Sequence, residues 1–147
     1  MTSHQKFHEI NLAGPCGFYC GTCRHYLARA KGLLKEKNLK HGCKGCRLQD
    51  KKCAWIKRDC VLIRKKQITF CFECQDFPCA NLKKLDERHL RDDNISLIDN
   101  LLRLQKIGPE KWLREQEALW RCPKCGGNIC IMDRECYDCG YKRLPEN

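Results

Sequence analysis

Two cysteine pairs near the end of the chain, Cys122-Pro-Lys-Cys125-Gly-Gly and Cys136-Tyr-Asp-Cys139-Gly-Tyr, restrict what it can fold into more than any other feature. In each pair two thiols flank a tight turn and a glycine follows. That pattern lets backbone N–H groups point at thiolates, and two such knuckles facing each other form a tetrathiolate cage. Asn128–Met132 and Arg134–Tyr137 can then form the hairpin that joins them. Four sulfurs with no acid or histidine to spare make a closed, structural site, which favours Zn(II) first and rubredoxin-like iron second. Cys130 lies between the pairs, is surplus to the cage, and is expected to be a buried free thiol.

The chain holds fifteen cysteines in 147 residues. Nothing in Met1–Gly14 resembles a secretion signal, so a cytoplasmic setting is expected, where thiols stay reduced and dense pairs serve as ligands rather than disulfides. No run of apolar residues is long enough to span a bilayer, and no membrane association is expected. The formal charge of +11 counts every cysteine as neutral. A tetrathiolate zinc cage carries two net negative charges, so three of them would lower the surplus to about +5. The remaining basicity is concentrated in residues 31–66: Lys31, Lys35, Lys37, Lys40, Lys44, Arg47, Lys51, Lys52, Lys57, Arg58, Arg64, Lys65 and Lys66. Such a stretch is either a solvated face or a surface for nucleic acid.

The expected organisation is a leader over 1–14, a cysteine-rich metal-binding domain over 15–80, a helical segment packed on it over 81–120, and the zinc ribbon over 121–147. Tyr26, Leu27, Ala30, Leu33 and Leu34 recur at helical spacing, which predicts a helix over Thr22–Lys37 with Asn38 as its stop. A helical pattern then runs through Leu82, Leu85 and Leu90 and on through Ile95, Ile98, Leu101, Leu102, Leu104 and Ile107. Gly108-Pro109 breaks it, and a short helix over Glu110–Leu119 follows, carrying Trp112, Leu113, Gln116 and, just past its end, Trp120. The apolar stripes are read as core. The fold class is thus a small, metal-stabilised, α-rich irregular fold ending in a short β-hairpin zinc ribbon.

Ten more cysteines, Cys16, Cys20, Cys23, Cys43, Cys46, Cys53, Cys60, Cys71, Cys74 and Cys79, fill the first half. Cys16, Cys20 and Cys23 have the spacing by which radical S-adenosylmethionine enzymes hold an iron–sulfur cluster, but too little chain follows for the large barrel of such enzymes. A plain Fe–S cluster remains an alternative cofactor. Cys43, Cys46 and Cys53 match the first half of a fungal binuclear zinc motif, whereas Cys71, Cys74 and Cys79 do not match its second half. Two partitions stay open. In one, residues 43, 46, 53, 71, 74 and 79 form a binuclear cluster and 16, 20, 23 and 60 a cage; in the other, 43, 46, 71 and 74 form one cage and 16, 20, 23 and 79 another.

His25 and His41 lie within two residues of Cys23 and Cys43 and are competing ligands, outnumbered by cysteines; His4, His8 and His89 read as surface residues. Glu87, Asp92, Asp93 and Asp99 read as the solvated face of a helix rather than an acid–base cluster. Phe18, Tyr19, Phe70, Phe72 and Phe77, interleaved with the cysteines, read as apolar packing around buried cages before base-stacking platforms. No nucleophile with a base at motif spacing and no phosphate loop is evident, so no catalytic residue is assigned.

Cys16-Gly-Phe-Tyr-Cys20-Gly-Thr-Cys23, Cys43-Lys-Gly-Cys46, the pair Cys53 and Cys60, and Phe70-Cys71-Phe-Glu-Cys74-Gln-Asp-Phe-Pro-Cys79 together resemble a prokaryotic cysteine-rich family catalogued as a domain of unknown function. Gly108–Leu113, Gly-x-Glu-Lys-Trp-Leu, resembles the helical tail that its members often carry. The resemblance implies ligand roles for all ten N-terminal cysteines and implies no activity. The expectation is a structural protein with about three or four zinc ions, acting as an interaction or adaptor module for a protein partner. Nucleic-acid binding through residues 31–66 and an Fe–S or thiol-redox role are the alternatives.

Overall fold

The structure, a computed structural model, describes residues 11–45, 47 and 60–143. Most of the expected leader, together with Cys46 and Cys53, lies outside the described residues. The chain enters through a loop whose 3-10 turn, Cys20–Thr22, leads into helix α1, Arg24–Ala30, with Cys23 as its N-cap. This helix is shorter than the expected Thr22–Lys37. Gly32 ends it at φ +67°: the Leu33 N–H returns to the Ala28 carbonyl (2.7 Å) and the Gly32 N–H to that of Arg29 (3.3 Å). This pair of bonds satisfies the last free carbonyls of the helix, and only a residue at ease with positive φ can make it. A further turn follows and Asn38, at φ +57°, closes it in the same way, with the Leu39 N–H on the Leu34 carbonyl (2.8 Å).

Beyond the undescribed stretch, Cys60 caps helix α2, Val61–Arg64, and a second 3-10 turn, Cys71–Glu73, begins at Cys71 and is closed by Cys74. The Glu73 carboxylate accepts the N–H groups of Thr69 and Phe70 (2.9 and 2.6 Å), fixing the entry to that turn. Three helices come next: α3, Ala80–Asp93; α4, Leu97–Ile107; and α5, Pro109–Leu119. The pattern expected to run unbroken to Gly108 is thus two helices. Asn94 adopts the left-handed conformation, and the Ser96 hydroxyl accepts the Asp99 N–H (3.1 Å) as the N-cap of α4. Asp86, buried on α3, accepts from both the Ser96 hydroxyl and the Ile98 N–H (3.0 Å each) and so locks the corner. Gly108 and Pro109 divide α4 from α5 as the sequence predicts.

Leu82 and Leu85 of α3, Leu97, Leu101 and Leu104 of α4, and Trp112 and Leu113 of α5 are buried in one cluster with Ala13, Cys16, Phe18 and Tyr19 of the entering loop. Leu90 and Leu102, counted with the apolar stripes, instead face solvent, since each sits about 100° around its helix from the buried stripe. Tyr19 meets Trp112 edge to face at 6.2 Å. The loop also touches α4 through its backbone: the Asn100 amide donates to the Gly17 carbonyl (2.9 Å), and a Cβ added at Gly17 would lie 2.7 Å from the Leu97 carbonyl oxygen and 2.9 Å from Leu101 Cγ. Gly17 has φ +90°, so a side chain there is strained as well as crowded. Gly17→Ala is expected to cost about 1–3 kcal/mol, read as a lower urea midpoint; an unchanged midpoint contradicts this packing.

The C-terminal hairpin pairs β1, Ile129–Cys130, with β2, Glu135–Cys136, in antiparallel register Ile129↔Cys136 and Cys130↔Glu135. Alternation along its first strand puts Ile129 and Ile131 into the helical core and Cys130 into a second cluster with Leu27 and Ala28 of α1 and Tyr137. The hairpin is therefore a wall between the helices and α1. Its fastenings are the Ile131 N–H on the Thr22 carbonyl (3.0 Å), Arg24 on Asp133 (2.6 Å) and Lys31 on Asp138 (2.7 Å).

Candidate metal centre

Past Trp120 the chain turns twice in the same manner. The Cys122 N–H donates to Gly127 O (2.7 Å) and the Gly126 N–H to Cys122 O (2.9 Å); the Cys136 N–H donates to Tyr141 O (2.8 Å) and the Gly140 N–H to Cys136 O (2.9 Å). Each knuckle thereby presents its two sulfurs on one side. The Lys124 N–H reaches Cys122 Sγ (3.4 Å) and the Gly127 N–H reaches Cys125 Sγ (3.3 Å). Cys122 Sγ lies 3.6 Å from Cys139 Sγ, Cys125 Sγ lies 3.5 Å from Cys136 Sγ, and all four sulfurs fall within 4.8 Å of one another. A tetrahedron of sulfurs around zinc, at its usual bond length, has edges of about 3.8 Å. The cage fits a single four-coordinate ion.

Electrostatics point the same way. Desolvation opposes ionisation of Cys122, but the N–H groups of Cys125 and Lys124, with the sulfurs of Cys139 and Cys136, outweigh it and bring the thiol down to about 7. The Gly127 N–H favours the Cys125 thiolate, yet the sulfurs of Cys139 and Cys136 prevail and push that thiol up to about 12. Four thiolates this close repel one another unless a cation lies among them. Cys122 and Cys136 are buried in the core while Cys125 and Cys139 are exposed, so the cage is anchored from within and open to metal entry from outside. Cys130 stands apart: it is wholly buried against α1, and burial raises its thiol.

None of the thirteen described cysteines is in a disulfide. In the first half, burial and then the neighbouring thiols of Cys16, Cys60, Cys79 and Cys74 push the Cys71 thiol far up, which places these five sulfurs in one neighbourhood. Cys60, Cys71, Cys74 and Cys79 line a single cavity of about 40 Å³ with Ile68, Phe77, Asn81 and Leu82. Neither partition drawn from the sequence contains that set. Cys43 is carried elsewhere: its N–H donates to the His25 carbonyl (3.2 Å), which ties its loop to the start of α1 after Cys23. Two of these N-terminal sulfurs show the same knuckle bond as the ribbon, Gly45 N–H on Cys43 Sγ and Asp76 N–H on Cys74 Sγ, each 3.4 Å. Among the described residues, however, only the ribbon brings three or more candidate ligand atoms within 4.8 Å of one another.

Two other readings change. His89, expected at the surface, packs at a tilt against Phe18 (ring centroids 5.0 Å apart), and its Nδ1 bonds Asp93 Oδ2 (2.7 Å). Asp93 is accordingly buried rather than solvated, because α3 turns its i, i+4 pair toward the entering loop; Glu87, Asp92 and Asp99 do face solvent. His25 directs Nδ1 to the His41 carbonyl (3.3 Å) rather than to a sulfur. Phe18, Tyr19 and Phe70 are buried, Phe70 stacks on Phe72 (5.4 Å), and Phe77 lines the thiol cavity, so these rings pack rather than present faces for bases. The Arg24–Asp133–Tyr137 chain that holds the ribbon to α1 carries no motif and is visible only in three dimensions.

Residues 12–84 match the model of a family described as a protein of unknown function (DUF3795). That span holds all ten N-terminal cysteines and stops before α4, α5 and the ribbon. No curated protein and no solved structure matches the chain.

Proposed function

Because the chain belongs through residues 12–84 to that family of unknown function, no activity comes with membership, and we propose from its own geometry that it is a structural metal–thiolate protein. The metal is Zn(II), about three or four ions in all, and the folded surface they maintain serves as an interaction or adaptor module in the cytoplasm. The observation that carries this reading is the closure of Cys122, Cys125, Cys136 and Cys139 to sulfur–sulfur distances of 3.5 and 3.6 Å. With all four positions taken by sulfur, no site is left for a reacting water, and the ion acts by holding chain segments together.

The nucleic-acid reading draws less support. Of the basic residues it needs, Lys31 binds Asp138 (2.7 Å), Lys37 lies over the Tyr137 ring (4.1 Å), and Arg47 donates to the carbonyls of Ala13 and Thr69 (2.7 and 2.9 Å). Lys51, Lys52, Lys57 and Arg58 lie outside the described residues.

Elemental analysis with native mass spectrometry of anaerobically purified protein tests the reading. A colourless protein with about three or four zinc ions is the expected result. Stoichiometric iron with visible charge-transfer absorption overturns it in favour of the Fe–S alternative.

A further inference from the structure

We propose that Cys60, Cys71, Cys74 and Cys79 are the four ligands of one metal centre of their own, distinct from the ribbon. This rests on the reading of the protein as a metal–thiolate scaffold and adds what the sequence leaves open, namely which of the ten N-terminal thiols share an ion.

The four arrive from three pieces of local structure. Cys60 is the N-cap of α2, Cys71 opens the second 3-10 turn and Cys74 closes it, and Cys79 is the N-cap of α3. All four line the cavity of about 40 Å³ beneath Leu82, where the other walls are Ile68, Phe77 and Asn81. Among the described residues, no acid, lysine or arginine lines it. A pocket with four thiols and otherwise almost only apolar walls suits a thiophilic cation, since neutralised thiolates tolerate apolar surroundings and few other ligands offer four soft donors a shared partner. The Asp76 N–H already donates to Cys74 Sγ at 3.4 Å, the same bond that marks both ends of the first ribbon knuckle.

Cys16 also neighbours Cys71, since the Cys71 N–H donates to the Pro15 carbonyl (2.9 Å), but Cys16 does not line the cavity. The cavity is wider than the ribbon cage: no three of its sulfurs meet within 4.8 Å. Both a zinc ion, which would draw the sulfurs inward, and an iron–sulfur cluster, which needs more room, have this thiolate chemistry.

The test uses the full-length metal-loaded chain. Stepwise chelation followed by pulsed alkylation, with mass spectrometry at each cysteine, shows which thiols are released together. Cys60, Cys71, Cys74 and Cys79 are expected to become reactive as one cohort, separate from Cys122, Cys125, Cys136 and Cys139. Cys74→Ser and Cys79→Ser are each expected to lose the same metal equivalent while the ribbon cohort stays protected, which also shows that the variant has folded; Cys16→Ser is expected to keep that equivalent. Zinc or iron in the lost equivalent distinguishes the bare ion from the cluster. Release of Cys60 or Cys79 in a different cohort from Cys71 and Cys74, or loss of that equivalent in Cys16→Ser, overturns the assignment while leaving a metal–thiolate scaffold standing. N-terminal thiols that are never protected overturn both.

Discussion

Cys136→Ser is expected to release the ribbon's metal and unravel residues 122–141 while α3, α4 and α5 persist. Cys136 is at once a sulfur of the cage, a residue of β2 and a wholly buried member of the helical core. The paired strands are two residues each, far too little to survive on backbone bonds. Metal binding in small zinc domains amounts to an apparent 10–16 kcal/mol, roughly, and that free energy is what folds them. Serine is a poor zinc ligand, so the loss should be nearly complete. Metal content should fall by one equivalent and the amide of Ile131, bonded to Thr22, should lose its hydrogen-exchange protection. Unchanged stoichiometry with Ile131 still protected contradicts the cage.

The second large effect belongs to Trp112→Ala. This indole is fully buried under Tyr19, at the point where α5, α4 and the entering loop converge. Its removal leaves a void that the leucines of two helices cannot close without shifting. Truncations of this kind cost about 3–5 kcal/mol, a large part of the 5–15 kcal/mol that typically separates folded from unfolded domains. The indole N–H has no acceptor among the described residues. Trp112→Phe therefore sacrifices no hydrogen bond and should cost clearly less than alanine. Urea midpoints of the two variants, compared at saturating zinc, measure the difference; an alanine variant within 1 kcal/mol of the parent contradicts this place for the ring.

The ribbon was legible in the sequence because its information is local. Cys122, Cys125, Cys136 and Cys139 sit in two short knuckles whose glycines and spacing fix the turns, and one hairpin brings them together. The Gly108-Pro109 junction was legible for the same reason. The corner at Asn94–Ser96 was harder, since apolar spacing continues across it and only the Ser96-to-Asp99 cap betrays the new start. Gly32 was overlooked because the leucines on both sides keep helical spacing through the bend. The neighbourhood of Cys71 could not be read at all. Its companions Cys16, Cys60 and Cys79 come from three separate segments, and spacing along the chain says nothing about which loops lie side by side in space. His89 and Asp93 failed for a related reason: a polar pair at i, i+4 looks the same whether water or Phe18 lies above it.

The bond from Ile131 to Thr22, with Arg24 gripping Asp133 beside it, makes the packing of α1 depend on a hairpin that lies about a hundred residues further along the chain. Leu27 and Ala28 of α1 have the hairpin's Cys130 and Tyr137 as their covering. Until residues 129–137 dock, this face of α1 therefore lacks the partners that bury Leu27 and Ala28.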